Sequence, residues 1–414
     1  MSYMDRVILH SDINSCYANI ELLFAPELRG RPMAVGGDAE RRHGIVLSKT
    51  EEAKRAGVKT GMALWEARRA CPDLIVLPPR FDRYIYFTRE VQKIYADYTD
   101  RREPFGLDES WLDLTGCVAV RDGVSAAQEI RRRVKRELGL TVSIGVSWNK
   151  VFAKLGSDYK KPDAVTAIGR ENYRELVWPM PVSELLFVGR ATSKRLRELG
   201  IATIGDLAEA DAELLRLRLG KAGLALHESA AGRENSPVRR AGDDPPPKSV
   251  GNGTTPPRDM CSLCDALPVL TSLAESVGRR LRSLGLLAGN ITLELRSDTL
   301  EWRSHGAQLQ HPTDCDMEIL SVALELLGES HRWPNALRSV AIRAGELCSA
   351  ALPEQMDVFT DYAGRDAQRR LDAAIDRLRS RFGRESVLRG AVFADRAMAA
   401  PPDQEEYSFV RKLA

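Results

Sequence analysis

Apolar positions recur along this chain with two periods. Val7 to Leu9 form a short continuous run that reads as a buried strand, and this strand delivers Asp12 to the start of a helix expected over Ser15 to Leu23. Between Gly106 and Gly116, Leu107, Trp111 and Leu114 frame a second strand punctuated by glycine at both ends. Ile130, Val134 and Leu138 recur every four residues over a helix expected from Ser125 to Leu138, which opens on Ser-x-x-Gln, a capping-box pattern. Val142, Ile144 and Val146 then alternate as along a strand. Strand, helix, strand, strand, helix and strand in this order predict a ferredoxin-like α+β unit. Farther on, Ile291, Leu293 and Leu295 alternate with Thr292, Glu294 and Arg296, and Leu371, Ile375 and Leu378 mark one side of an amphipathic helix over Gln368 to Phe382.

Composition adds bounds. A length of 414 residues predicts two to four domains, and the proline-rich stretch Arg239 to Pro247 predicts an extended linker. The balance of 60 basic to 58 acidic residues gives no global signature of a polyanion binder, so a nucleic-acid track has to come from local clusters. Seven cysteines, an odd number without the spacing of a disulfide scaffold, predict reduced thiols and a cytoplasmic protein. Cys261 and Cys264 form a single CxxC with neither a second pair nor a histidine pair nearby, and read as small helix residues rather than a zinc site. No apolar run approaches the roughly 20 residues that span a bilayer, and no secretory leader or membrane partner is expected.

Candidate chemistry lies where two strands carry acids. Asp108 and Glu109 are adjacent in an apolar frame; adjacent carboxylates repel, so the pair is either a surface turn or half of a cation site, and on that stretch alone the turn is favoured. Asp12 changes the balance. Three carboxylates from two strands can hold two divalent ions roughly 3.5 to 4 Å apart, the arrangement that activates a 3′ oxygen and stabilises leaving pyrophosphate in nucleotidyl transfer. Mg²⁺ suits such oxygen ligands and completes its sphere from phosphates and water.

Four stretches in order, DINSCYANIE, LDESWLDLT, SIGVSWNKVFAKLGSDYKKPDA and KSVGNGTT, resemble the motifs of the Y-family DNA polymerases of the DinB, or DNA polymerase IV, type, over roughly residues 5 to 395. The resemblance implies a multidomain α+β right hand: a ferredoxin-like palm from 1–26 and 84–175, small fingers from 27–83, a helical thumb of helix-hairpin-helix form from 176–238, a linker at 239–247, an α/β little finger at 248–350 and a tail at 351–414. It implies low-fidelity, DNA-templated synthesis in lesion bypass, with dNTPs and primer-template DNA as substrates. Asp12, Asp108 and Glu109 would be the catalytic acids that bind two Mg²⁺, with Mn²⁺ as a substitute, and Ile13 would add a backbone carbonyl. Tyr17 would be the steric gate beneath the sugar, preceded by Cys16 where the family often has an aromatic; Ser48, Lys54 and Lys161 would meet the triphosphate, and Asn149 and Lys150 would support the acids from behind.

The chain departs from the family pattern at Glu51 and Lys54, where a tyrosine and an arginine are usual. A lysine keeps the charge without the fork. A glutamate would repel a triphosphate, so Glu51 is expected to face solvent, and Lys49, Glu52, Arg55, Lys154 and Lys160 read as solvated charge. His10 shares strand parity with Asp12 but reads as a packed or surface residue. In the thumb hairpin Phe187 stands where the first glycine is usual while Gly189 keeps the second, the backbone position that would meet a DNA phosphate.

Residues 248–350 hold 10 Lys or Arg against 12 Asp or Glu, so DNA contact there falls to single residues such as Arg296 and Arg303. Gln355, Met356, Asp357, Val358 and Phe359 resemble the bacterial sliding-clamp peptide, and PPDQEEYSFVRKLA reads as a frayed end. A monomer without proofreading is expected. The rival readings are a non-catalytic, clamp-bound mutagenesis scaffold on the same fold and a nucleotide cyclase with a similar palm.

Overall fold

The computed structural model describes residues 6–37, 44–117, 122–353 and 356–399. They divide into two compact units, one reaching Gly37 and resuming over Ile45–Asp244, the other within Pro245–Phe409.

The strands of the first unit are β1 (Ile8–Ile13), β2 (Met33–Gly36), β3 (Val46–Lys49), β4 (Ile75–Leu77), β5 (Arg102–Phe105), β6 (Glu109–Asp113), β7 (Val142–Ser147) and β8 (Val165–Ala167). Its first six α-helices are α1 (Cys16–Phe24), α2 (Glu51–Arg55), α3 (Leu64–Ala70), α4 (Phe81–Ala96), α5 (Gly123–Leu138) and α6 (Lys150–Tyr159). Five strands form a sheet in the order β5-β6-β1-β7-β8, with β1 antiparallel to both neighbours and β8 added parallel to β7. The first four of these strands, with α4 and α5, make the ferredoxin-like frame.

Alternation along β1 decides which side chains meet which helices. Leu9 and Ile13 pack with Val91 of α4 and with Ile130 and Val134 of α5. Ile8 faces the other way, against Trp111 and against Ala153 of α6, and His10 and Asp12 share its parity. Helix α6 lies close on β7 because position 145 is glycine: a Cβ there would come within 1.8 Å of the Ala153 carbonyl oxygen. Helix α5 begins at Gly123, and its cap is Asp122, whose carboxylate accepts the Ser125 N–H at 2.8 Å. The Ser-x-x-Gln pattern therefore lies inside the helix rather than at its cap.

The short sheet β3-β2-β4 carries α2 and α3 on a small core that includes Ala34, Val46, Ala53 and Leu64. Helices Arg190–Glu198, Ile204–Glu209 and Ala212–Ala230 pack Leu196, Ile204, Leu207 and Leu215 with Phe152 of α6. The stretch that follows, expected as a free spacer, starts tethered: Arg239 pairs with Glu103 at 3.1 Å, and the Ala241 N–H donates to the Asp100 carbonyl at 3.0 Å.

The second unit contains β9 (Val250–Thr254), β10 (Leu286–Ser297), β11 (Trp302–Thr313) and β12 (Leu337–Ser349), an antiparallel sheet in the order β11-β10-β12-β9. Ile291, Leu293 and Leu295 are buried with residues of helices Leu263–Leu284 and Asp316–Ser330, as the alternation predicts. Arg296 pairs across the ladder with Trp302, and Leu295 with Arg303. Cross-strand partners share a face, so Arg296 and Arg303 stand on opposite faces and do not form one DNA track.

Helix Tyr362–Phe382 belongs to this unit and corrects the expected stripe. Its buried positions are Asp372, Ile375 and Arg379, whereas Leu371 and Leu378 are 50% and 44% exposed. Arg379 grips both oxygens of Glu275 at 3.0 and 3.1 Å, and Arg389 meets Glu275 and Asp372 at 2.8 Å each. The docked unit thus runs through this helix instead of ending at 350. Ahead of it, Met356, Val358 and Phe359 are 63%, 92% and 92% exposed, and the Asp357 carboxylate accepts the Phe359 and Thr360 N–H groups at 2.7 and 2.9 Å; Gln355 lies outside the described residues. No helix among the described residues is long and apolar enough to cross a membrane.

Candidate active site

The register of β1 against β6 sets Asp12 directly opposite Glu109, and the Ile13 N–H donates to the Asp108 carbonyl at 3.0 Å. One cleft of about 350 Å³ is lined by Asp12, Ile13, Cys16, Tyr17 and Asp108 from the palm sheet and α1, by Ser48, Lys49, Glu51, Lys54 and Thr60 from the small sheet and its helix, and by Lys161. Glu109 stands behind Asp108, on the side of α6.

Each acid has its own electrostatic setting. Lys161 Nζ lies 2.7 Å from Asp12 Oδ2 and 2.7 Å from Asp158. Burial pushes the Asp12 carboxyl up to about 7, and the Lys161 ammonium only partly offsets it. Asp108 is also raised, by burial and then by the charge of Glu109. For Glu109 burial acts in the same upward sense, but His10 and the Lys154 ammonium outweigh it and hold the carboxyl down at about 2. Of these two the lysine has the better geometry: Lys154 Nζ is 2.6 Å from Glu109 Oε2, while His10 Nε2 stands 3.3 Å away without hydrogen-bond alignment. Burial keeps the His10 pKa below its ordinary value, and its Nδ1 is 2.8 Å from Ser157 Oγ of α6.

Sequence reasoning misassigned several of these roles. Lys154 is 16% exposed and is a neutralising partner of Glu109, not solvated charge. Asn149 caps α6 by accepting the Phe152 N–H at 2.7 Å, and Lys150 pairs with Glu103 at 2.7 Å, so neither supports the acids. Asn14, buried, was missed: its Oδ1 accepts the Asp163 N–H at 2.8 Å and its Nδ2 donates to Ser143 at 2.8 Å, which fixes the loop that carries Lys161. The parity shared by His10 and Asp12, and the one-turn spacing of Lys150, Lys154 and Asp158, are the signals that point to the α6 face.

The nucleotide side of the cleft is also specific. Tyr17 stacks on Tyr84 with ring centroids 4.3 Å apart and planes 8° apart. Tyr84 is itself fixed by donating to Glu21 at 2.9 Å and accepting the Arg80 N–H at 3.0 Å. Burial pushes the Cys16 thiol well up, so it lines the cleft as a small apolar group. Ser48 Oγ accepts the Ala18 N–H at 3.3 Å and so braces α1. Glu51 lines the cleft instead of facing solvent, and its carboxylate stands 3.6 Å from Lys54. Gly189 caps helix Arg190–Glu198 with open space around it, while Phe187, 77% exposed, takes φ 69°, a conformation that favours glycine.

The donor set was tested as a cation site. Among the described residues no three acid, histidine or cysteine side chains are gathered closely enough to chelate one ion. The acids are hard oxygen donors of the type a divalent cation takes, and lysine ammoniums neutralise two of them.

Residues 11–158 match the model of the impB/mucB/samB family, and residues 247–358 match that of its C-terminal domain. DNA polymerase IV of Acetivibrio thermocellus is 44% identical over 396 residues, covering 95% of this chain and 99% of its own. This chain belongs to the DNA polymerase IV family. DNA polymerase IV 1 of Bacillus subtilis is 37% identical, with 93% of each chain covered. A solved Y-family polymerase chimaera of Dbh and Dpo4 shares the fold, with a TM-score of 0.73 at 24% identity over 83% of this chain and 99% of its own. Membership of the DNA polymerase IV family implies binding of DNA and dNTP and a general dependence on divalent metal.

Proposed function

We propose that this protein, a translesion DNA polymerase by family, performs its nucleotidyl transfer in the cleft of Asp12, Asp108 and Glu109, with two Mg²⁺ held by these acids and the Ile13 carbonyl. The observation that carries the reading is the pairing of Asp12 with Glu109 across β1 and β6 beside Asp108. When bound, the ions supply Lewis acidity that activates the primer 3′ hydroxyl and stabilises leaving pyrophosphate.

The chain's own residues do the positioning. Lys154 holds Glu109 ionised and oriented, and Lys161, now on Asp12, would be the ammonium that meets the terminal phosphates. The Tyr17 ring, backed by Tyr84, lies beneath the sugar and clashes with a 2′ hydroxyl. Lys54 adds charge at the triphosphate. Gly189 offers backbone to a DNA phosphate and Arg296 lies along the duplex, while Arg303, on the other face, contributes separately. Met356, Val358 and Phe359 would anchor a sliding clamp in an otherwise monomeric, cytoplasmic protein of low fidelity. Extension of a primed oligonucleotide opposite undamaged and abasic templates tests the reading. Extension past the abasic position supports it, and binding without extension on either template would favour the non-catalytic scaffold.

A further inference from the structure

Three lysines line the cleft, and they are not equivalent. Lys161 is bound to Asp12 and Asp158 at 2.7 Å each. Lys54 is held near Glu51 at 3.6 Å, the acid that stands where the family's tyrosine is usual. Lys49 is different: its Nζ donates to the neutral Thr60 hydroxyl at 3.0 Å, and among the described residues no carboxylate lies within ion-pairing distance of it. It ends β3, where it is half-buried, and together with Leu47 and Ser48 it lines the cleft. Its pKa is lowered, first by burial and then by the charge of Lys54, which the more distant Glu51 carboxylate only partly offsets.

We propose that Lys49 is a phosphate-binding residue for the incoming nucleotide, supplying the charge that Glu51 takes from Lys54. The inference rests on the polymerase reading. Glu51 lowers the net positive charge of α2 facing the triphosphate, and an ammonium on the adjacent strand restores it. Thr60 parks that ammonium at the cleft mouth without neutralising it, so the contact forms with little reorganisation. A lysine suits this post because a point charge on a flexible stem can follow phosphates as they shift during transfer.

The experiment compares wild type with Lys49→Gln and Lys49→Arg in two assays. In the first, a primer ended with a dideoxynucleotide prevents chemistry, and stabilisation of the protein–DNA complex by the correct dNTP is titrated. If the wild type shows no such stabilisation, the polymerase reading itself fails. Given that stabilisation, Lys49→Gln should need about tenfold more dNTP, and Lys49→Arg should restore most of the affinity. The second assay measures inhibition of primer extension by inorganic pyrophosphate, which has neither base nor sugar. A parallel rise in the inhibition constant for Lys49→Gln supports phosphate contact. Unchanged dNTP titration overturns the inference, and so does weaker dNTP binding with unchanged pyrophosphate inhibition, which would place Lys49 on the base or template instead.

Discussion

Lys154 Nζ lies 2.6 Å from Glu109 Oε2, so a helix on one face of the sheet neutralises an acid at the edge of the next strand. The contact explains how three carboxylates can share one end of a sheet before metal binds. With Lys154→Met, Glu109 is left charged beside Asp108 in a partly buried setting. The metal-free protein should lose roughly 1–2 kcal/mol, and millimolar Mg²⁺ should return most of it. Thermal unfolding with and without Mg²⁺ reads both effects; a Tm unchanged in the absence of metal would show that the pair contributes nothing.

Asp12 should make metal binding depend on pH. Its carboxyl is raised to about 7 by burial, well above its ordinary value, so it is protonated below that pH and ionised above it. If Asp12 is a metal ligand as proposed, the ion requires its carboxylate, so affinity should rise as pH goes from 6 to 8 and level off beyond. Titration calorimetry at pH 6.5 in buffers of different ionisation enthalpy should detect proton release that fades by pH 8.

Tyr17 stacks flat on Tyr84, 4.3 Å between centroids, a packing that suits the sugar-gate role proposed for it. Tyr17→Ala should reduce the preference for dNTP over rNTP by about tenfold or more in kcat/KM. Tyr17→Phe should retain it, because the ring rather than the hydroxyl blocks the sugar.

Met356 and Phe359 are exposed, so their loss should leave folding untouched, within about 0.5 kcal/mol. Replacing both with Ala should abolish stimulation by a sliding clamp while distributive synthesis continues unchanged. Equal loss with and without clamp would refute the docking role.

Glu275 is 5% exposed and serves both Arg379 and Arg389. Glu275→Ala takes the carboxylate from Arg379 while Arg389 keeps Asp372, and a broken buried pair costs about 3–5 kcal/mol. Hydrogen exchange should report lost protection over Tyr362–Phe382.

The parts of this fold legible in the sequence are those with a strong pattern or a fixed motif: the continuous apolar run of β1, the β7 alternation, the Ile291–Leu295 stripe, and the acids at Asp12, Asp108 and Glu109. What escaped depends on where polar side chains end. The tail helix buries Asp372 and Arg379 beside Ile375, because Arg389 and Glu275 await them on other elements; an apolar period cannot reveal a face held by ion pairs. Lys154 reads as solvent charge until α6 is laid on β1, and Glu51 reads as outward until α2 is seated over the cleft. Asp122, three residues ahead of the expected helix start, took the cap from Ser125 because its carboxylate reaches the Ser125 N–H.

The most direct test is primer extension with dNTPs and Mg²⁺ by wild type and by Asp108→Ala with Glu109→Ala, on samples matched for folding. Templated extension is expected from the wild type and none from the double variant, with DNA binding retained. Extension by both at equal rates would contradict the assignment of these acids to the chemistry.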